Sequence, residues 1–287
     1  MSSSPWVRSL DDPAAADRAV AGGKGAALVR LRAAGLPVPA GFVVVSAASL
    51  DRPLGAAVPA EVAAAVAAGY AALGADPLVA VRSSGVSEDS ERASAAGLLR
   101  TELGVRGVPD VLAAVARCWD SGSGPALKQY LRRHGGPAGA AVAVVVQVLV
   151  PARAAGVAMT RHPVSGDPEV VVVEATPGLG APAAEGRVVP EHLEVGRADG
   201  RTRWRRPGRR DLVLVVADGE VRERRVDPAG ADRSVLNDAE AAAVAGQALR
   251  VEDVLGCPAD VEWALAADSA EVLVLQGRPM TGRLSPR

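Results

Sequence analysis

Asp260-Val261-Glu262-Trp263 and Val274-Leu275-Gln276-Gly277-Arg278-Pro279-Met280-Thr281 are two extended runs with a short polar break between them. Ala267-Asp268-Ser269 separates residues 261–266 from 272–276, as the turn of a hairpin does. Residues i and i+2 of a strand share a face. Asp260 and Glu262 therefore share one, and so do Gln276 and Arg278. If the strands pair, one surface gathers two carboxylates, an amide oxygen and a guanidinium. Mg²⁺ takes oxygen ligands and keeps waters and substrate phosphates around it. Arginine grips phosphate oxygens in bidentate fashion. The spacing alone fits an exposed strand pair with ordinary salt bridges equally well. The sequence ends at Arg287, a few residues beyond.

Upstream, Asp199-Gly200 and Asp218-Gly219 each sit between extended runs and predict two more hairpins. A helix over 238–254 lies between the second hairpin and the terminal one. Further back, strands are expected at 42–45, 78–82, 141–150 and 170–174. Helices are expected at 24–34, 59–73, 109–118 and 125–134. Leu36-Pro37-Val38-Pro39 is an extended connector, because each proline disfavours helix before it. There is no regular βαβ repeat, so the class is α+β with two lobes.

Composition narrows the partners. The 287 residues are 49% hydrophobic and 23% charged, with net charge −1, which reads as a soluble globular chain. No global field draws it to nucleic acid or membrane. No secretory signal opens it, and residues 138–150 are too short an apolar run to span a bilayer. Cys118 and Cys257 have no metal-type spacing and read as two reduced thiols of a cytoplasmic protein. Lys24 and Lys128 are the only lysines in a chain that favours arginine.

Lys24 sits in Gly22-Gly23-Lys24-Gly25 at a helix start, where backbone N–H groups can approach a phosphate. The P-loop spacing is absent. Alone, the motif is weak and reads first as a turn with a solvated lysine. Val79-Ala80-Val81-Arg82-Ser83-Ser84 delivers Arg82 to the mouth of a long small-residue loop, which can fold over a polyphosphate or simply be a surface loop. The arginines between 201 and 210 surround Trp204 without further aromatic interleaving. They read as a charged, solvated or partner-facing edge rather than a nucleic-acid site. His134, His162 and His192 show no metal spacing.

Five segments in order, G-G-K-G-A-A-L with A-A-G-L-P-V-P-A-G-F (22–42), V-A-V-R-S-S (79–84) with S-E-D (87–89), V-V-V-Q (144–147) with G-V-A-M-T-R-H-P-V-S-G (156–166), V-V-V-E-A with G-L-G (171–180), and the terminal hairpin, together resemble the ATP-binding domain of the pyruvate phosphate dikinase and phosphoenolpyruvate synthase family. The resemblance implies a two-lobed ATP-grasp fold, residues 1–149 and 150–287, with the nucleotide between lobes. It implies that Lys24 and Arg82 hold ATP phosphates, that Thr101 lies near the nucleotide and that Gln147 lies near adenine. Glu262 and Gln276 would ligate Mg²⁺ with support from Asp260, and Arg278 would stabilise charge on the transferring phosphoryl group. Lys24, Arg82 and Arg278 are then the catalytic cations, and ATP and Mg²⁺ the cofactors.

The chain departs from the family pattern in three places. The usual A-S-F-A-G-Q is Ala93-Ser94-Ala95-Ala96-Gly97-Leu98, the usual W-G-L-G-E is Pro177-Gly178-Leu179-Gly180-Ala181, and the aspartate of T-R-D-P is His162. These touch lid closure and rate more than ATP binding. Family members usually continue into a swivelling domain with a catalytic histidine in a T-S-H-like motif, and no histidine here matches it. The resemblance therefore implies a phosphotransferase subunit that phosphorylates a histidine on a separate protein, which passes the phosphate to a small molecule. The alternatives are a direct ATP-dependent small-molecule kinase or ligase, and a nucleotide-binding sensor without turnover.

Overall fold

A computed structural model of the chain describes residues 4–50, 52–85, 100–122, 141–227 and 233–280. The expected loop at 93–98, the S-E-D segment, the helix over 125–134 with Lys128 and His134, and Thr281 lie outside the described residues. The chain divides into two units, Met1–Ala33 with Pro39–Leu149, and Ala34–Val38 with Val150–Arg287. Both combine helices and sheet, the expected α+β class.

The first unit is an antiparallel sheet of β1 (Val7–Ser9), β2 (Gly41–Val44), β3 (Val79–Gly85), β4 (Thr101–Val105) and β5 (Val142–Val148), in spatial order β1-β2-β5-β3-β4. Valine dominates β5, and both its faces are covered, so its apolar run does not alternate. One face puts Val79, Val81, Val142, Val144 and Val146 against α2 (Ala60–Ala72) and α3 (Val108–Gly122). The other face carries α1 (Arg18–Ala33), which packs on β3 and β5. α1 is broken at Gly22, with φ 69° and ψ 179°, so its long segment begins after that glycine, close to the expected start. Cys118 of α3 is enclosed, and burial pushes its thiol up to about 12. Both cysteines are free, as read from their spacing.

The second unit is a six-stranded antiparallel sheet. Its strands are β6 (Ala152–Met159), β7 (Val170–Pro177), β8 (Glu191–Gly196), β9 (Thr202–Arg206), β12 (Ala259–Ala266) and β13 (Val272–Pro279), ordered β13-β12-β6-β7-β8-β9. β10 (Leu212–Ala217) and β11 (Glu220–Arg225) form a separate hairpin. Its turn places Asp218 and Gly219 both at positive φ, which is why Asp-Gly occurs there. A single turn, α4 (Ala181–Ala184), follows β7, and α5 (Asp238–Leu255) lies on the sheet. α5 starts where Asn237 and Glu240 form a reciprocal capping box and ends at Gly256 in the left-handed conformation.

One buried acid ties the segment before α5 to the sheet. Glu191 of β8 is fully enclosed. It accepts from Arg205 Nη1 at 2.9 Å, Ser234 Oγ at 3.0 Å and the backbone N–H groups of Val235 and Leu236 at 2.8 and 3.2 Å. Arg210, also buried, donates to the Arg233 carbonyl. This corrects, at two positions, the reading of 201–210 as a solvated or partner-facing edge. Arg205 and Arg210 turn inward to polar partners, whereas Arg201, Arg203, Arg206 and Arg209 are exposed. Without Glu191, Arg205 keeps Asp238 at 2.8 Å, but the Val235 and Leu236 N–H groups lose their acceptor, and a buried donor left unpaired costs about 1–3 kcal/mol. Glu191→Ala is expected to lower stability in urea denaturation by about 2–3 kcal/mol. A change under about 1 kcal/mol would refute the tie.

Candidate functional site

In the first unit, the positions singled out by sequence fall on the α1 side of the sheet. Arg82 lies in register with Val145 on one side and Thr101 on the other. Directly opposed residues of antiparallel strands point to the same face, so Thr101 stands beside Arg82 on the neighbouring strand. Gln147 is in register with Ala80 and Gly41, on that same face two residues along from Arg82's row. Lys24 and Arg82 are 9% and 8% exposed, unusual for cations. Gln147 is 2% exposed, and its Nε2 is buried without a hydrogen-bond partner, the kind of vacancy native cores rarely leave unexplained.

β4 is held beside Arg82 by a charge cluster. Glu102 accepts from Arg117 Nε and Nη2 at 2.7 and 2.6 Å and from Arg100 Nε at 2.6 Å. The Arg117 hydrogen bonds come first among the causes that hold its carboxyl below the ordinary 4.5. The tie is therefore complete above that ordinary value and is lost as pH falls through the lowered one.

In the second unit, β12 and β13 pair Asp260 with Arg278 and Glu262 with Gln276. All four side chains share one face. Arg278 Nε and Nη2 donate to Asp260 Oδ2 at 3.0 and 2.9 Å, so the acid aims the guanidinium. Beyond Glu262 the register shifts, Trp263 facing Val274, and Leu275 is an extra residue in β13. Such a bulge twists the strand beneath Glu262 and Gln276. Gln276 is 3% exposed. Among the described residues, no group of three or more His, Cys, Asp and Glu could hold a metal ion by itself. The set of two carboxylates and an amide oxygen suits a hard cation that takes its remaining ligands from water and phosphate, as Mg²⁺ does.

The same face continues across the sheet with residues that sequence reasoning did not single out. Glu262 lies opposite Val157, Val157 opposite Glu174, and Glu174 opposite His192. His192 Nδ1 is 3.5 Å from Glu174 Oε1, and its ring meets Trp204 edge-on at 5.5 Å. Only the pairing of β7 with β8 brings them together, and neither strand shows it alone. His162 proves to be a turn residue. Its Nδ1 accepts the N–H groups of Val164 and Ser165 at 3.2 and 3.1 Å. Aspartate in such a turn accepts the same N–H groups.

Residues 50–285 match the family model described as pyruvate phosphate dikinase, AMP/ATP-binding domain. A probable phosphoenolpyruvate synthase of Methanothermobacter thermautotrophicus is 32% identical over 96% of this chain and 46% of its own length. A rifampicin phosphotransferase of Streptomyces sviceus is 33% identical over 96% of this chain and 36% of its own. The prodigiosin synthesizing transferase PigC of Serratia marcescens is 32% identical over 92% and 32%. The chain thus spans less than half the length of each. No helix among the described residues is long and apolar enough to cross a membrane.

The turn at His162 generates a direct test. His162→Asp should keep stability within about 0.5 kcal/mol, while His162→Ala should lose about 1–2 kcal/mol with its two acceptor contacts, both read by urea denaturation. Equal losses in the two variants would mean that the ring's packing, and not its Nδ1, holds the turn.

Proposed function

The chain belongs to the family of pyruvate phosphate dikinase AMP/ATP-binding domains, and from that premise we propose that it is the Mg·ATP-binding part of a phosphotransferase. The observation that carries this reading is the register of β12 with β13, which sets Asp260, Glu262, Gln276 and Arg278 on one face. Glu262 and Gln276 present the oxygens that would hold Mg²⁺. The ion, when bound, draws charge from the nucleotide's phosphate oxygens. Arg278, aimed by Asp260, stabilises charge that builds on the phosphoryl group in flight. In the first unit, Lys24 and Arg82 hold phosphates, Thr101 stands beside them, and Gln147 offers its amide to adenine. That these groups serve a nucleotide is what family membership brings to this reading.

One phosphoryl group of ATP goes to a histidine of a separate swivelling-domain protein and from there to a small molecule, while water takes up the other phosphoryl group, so that AMP and phosphate are the by-products. A second reading is direct ATP-dependent modification of a small molecule, the class of acceptor that the name rifampicin phosphotransferase gives for one relative.

ATP carrying ³²P on its β and γ phosphates separates these readings. With a histidine-domain partner, the first predicts acid-labile label on that partner and AMP among the products. ADP with no labelled protein would instead select the second, and ATP binding without any turnover would reject both. Glu262→Gln and Arg278→Lys should each lower turnover by about 100-fold or more. Wild-type rates in either variant would remove the β12–β13 face from the chemistry.

A further inference from the structure

Ser84 has no exposed surface, and its hydroxyl joins the two sides of the break in α1. It donates to the Ala21 carbonyl at 2.7 Å and accepts from the Gly25 N–H at 3.1 Å. Gly22 lies between those two points. The first N–H groups of a helix have no partner within it, and the capping side chain normally accepts one from the second or third helical residue. With Gly22 at the cap position, Gly25 is the third. Gly22 has no side chain to offer, and a Cβ placed there would lie 2.2 Å from Ser84 O and 2.3 Å from its Oγ. A serine from β3, distant in sequence, thus takes the place of the missing cap. Lys24 lies in the turn so capped. Arg82 precedes Ser84 by two residues on the same strand, so both point to the α1 face.

We propose that Ser84 is a positioning residue, locking the Lys24 turn to the strand that carries Arg82 so that both cations address one polyphosphate. The neighbouring serine has a different task. Ser83 points to the opposite face, donating to the Arg100 carbonyl at 2.8 Å and accepting from the Arg100 N–H at 2.9 Å. Cation geometry at the α1 face therefore depends on Ser84 alone of the pair. The inference rests on the reading of Lys24 and Arg82 as phosphate ligands.

Calorimetry on the whole chain, with ATP and with adenosine as competing ligands, tests both levels. Lys24→Ala should weaken ATP about tenfold or more and leave adenosine unchanged. If it leaves ATP unchanged, the phosphate reading fails and the role of Ser84 falls with it. Ser84→Ala should weaken ATP about fivefold to tenfold, spare adenosine, and add nothing once Lys24 is alanine. Given a Lys24 effect, three results overturn the positioning role: no loss in Ser84→Ala, equal loss for ATP and adenosine, or losses that add. A measurement on the unaltered chain does not depend on a variant folding. Hydrogen exchange at the Gly25 amide should slow with ATP and not with adenosine, and indifference to ATP contradicts the proposal.

Discussion

The pairing register of β12 with β13 is the constraint on which the chemistry proposed for the second unit depends. A slip of one residue would turn Asp260 and Glu262 to the opposite face and bring Val261 and Trp263 out with them. Val261 and Trp263 are 1% exposed, and Val274 is fully enclosed. Burying each such side chain contributes about 1.5–3 kcal/mol. The Arg278–Asp260 pair, a quarter exposed, is worth about 1 kcal/mol or less. The apolar face therefore sets the register, and the polar face follows it. The polar groups of the proposed site are thus held in place by apolar neighbours on the opposite face.

The first unit obeys the same logic with a different device. Val79 and Val81 enter the core while Arg82 and Ser84 emerge toward α1 and Ser83 turns to the other side. The strand's alternation distributes three polar residues among three tasks. The break at Gly22 is then fixed by close approach, since nothing larger than hydrogen fits against Ser84.

Much of this was legible in the residues. The terminal hairpin, both Asp-Gly turns and the helix ending at Gly256 follow from periodicity and turn chemistry. β6 was not. It reads Ala-Arg-Ala-Ala-Gly-Val-Ala-Met, small residues with weak strand preference, yet it lies inside the sheet between β12 and β7. Gly156 shows why it must be small, for a Cβ there would meet the Glu174 carbonyl oxygen at 1.9 Å. That demand comes from a neighbouring strand and leaves no periodic trace. The inward turn of Arg205 and Arg210, the Glu174–His192 pair and the serine cap on α1 were hidden for the same reason. Each is a contact between residues far apart in sequence, made only when strands or helices meet. The family resemblance supplied roles for Thr101 and Gln147 that neither spacing nor propensity could have suggested.

The claim at the centre of this account is that the β12–β13 face holds the metal of a bound nucleotide. Calorimetric titration of ATP at rising Mg²⁺ concentration, on the unaltered chain and on Glu262→Gln, tests it most directly. The account predicts that Mg²⁺ tightens ATP binding in the unaltered chain and that Glu262→Gln loses most of that enhancement while still binding ATP weakly. An identical Mg²⁺ dependence in the two proteins would contradict it.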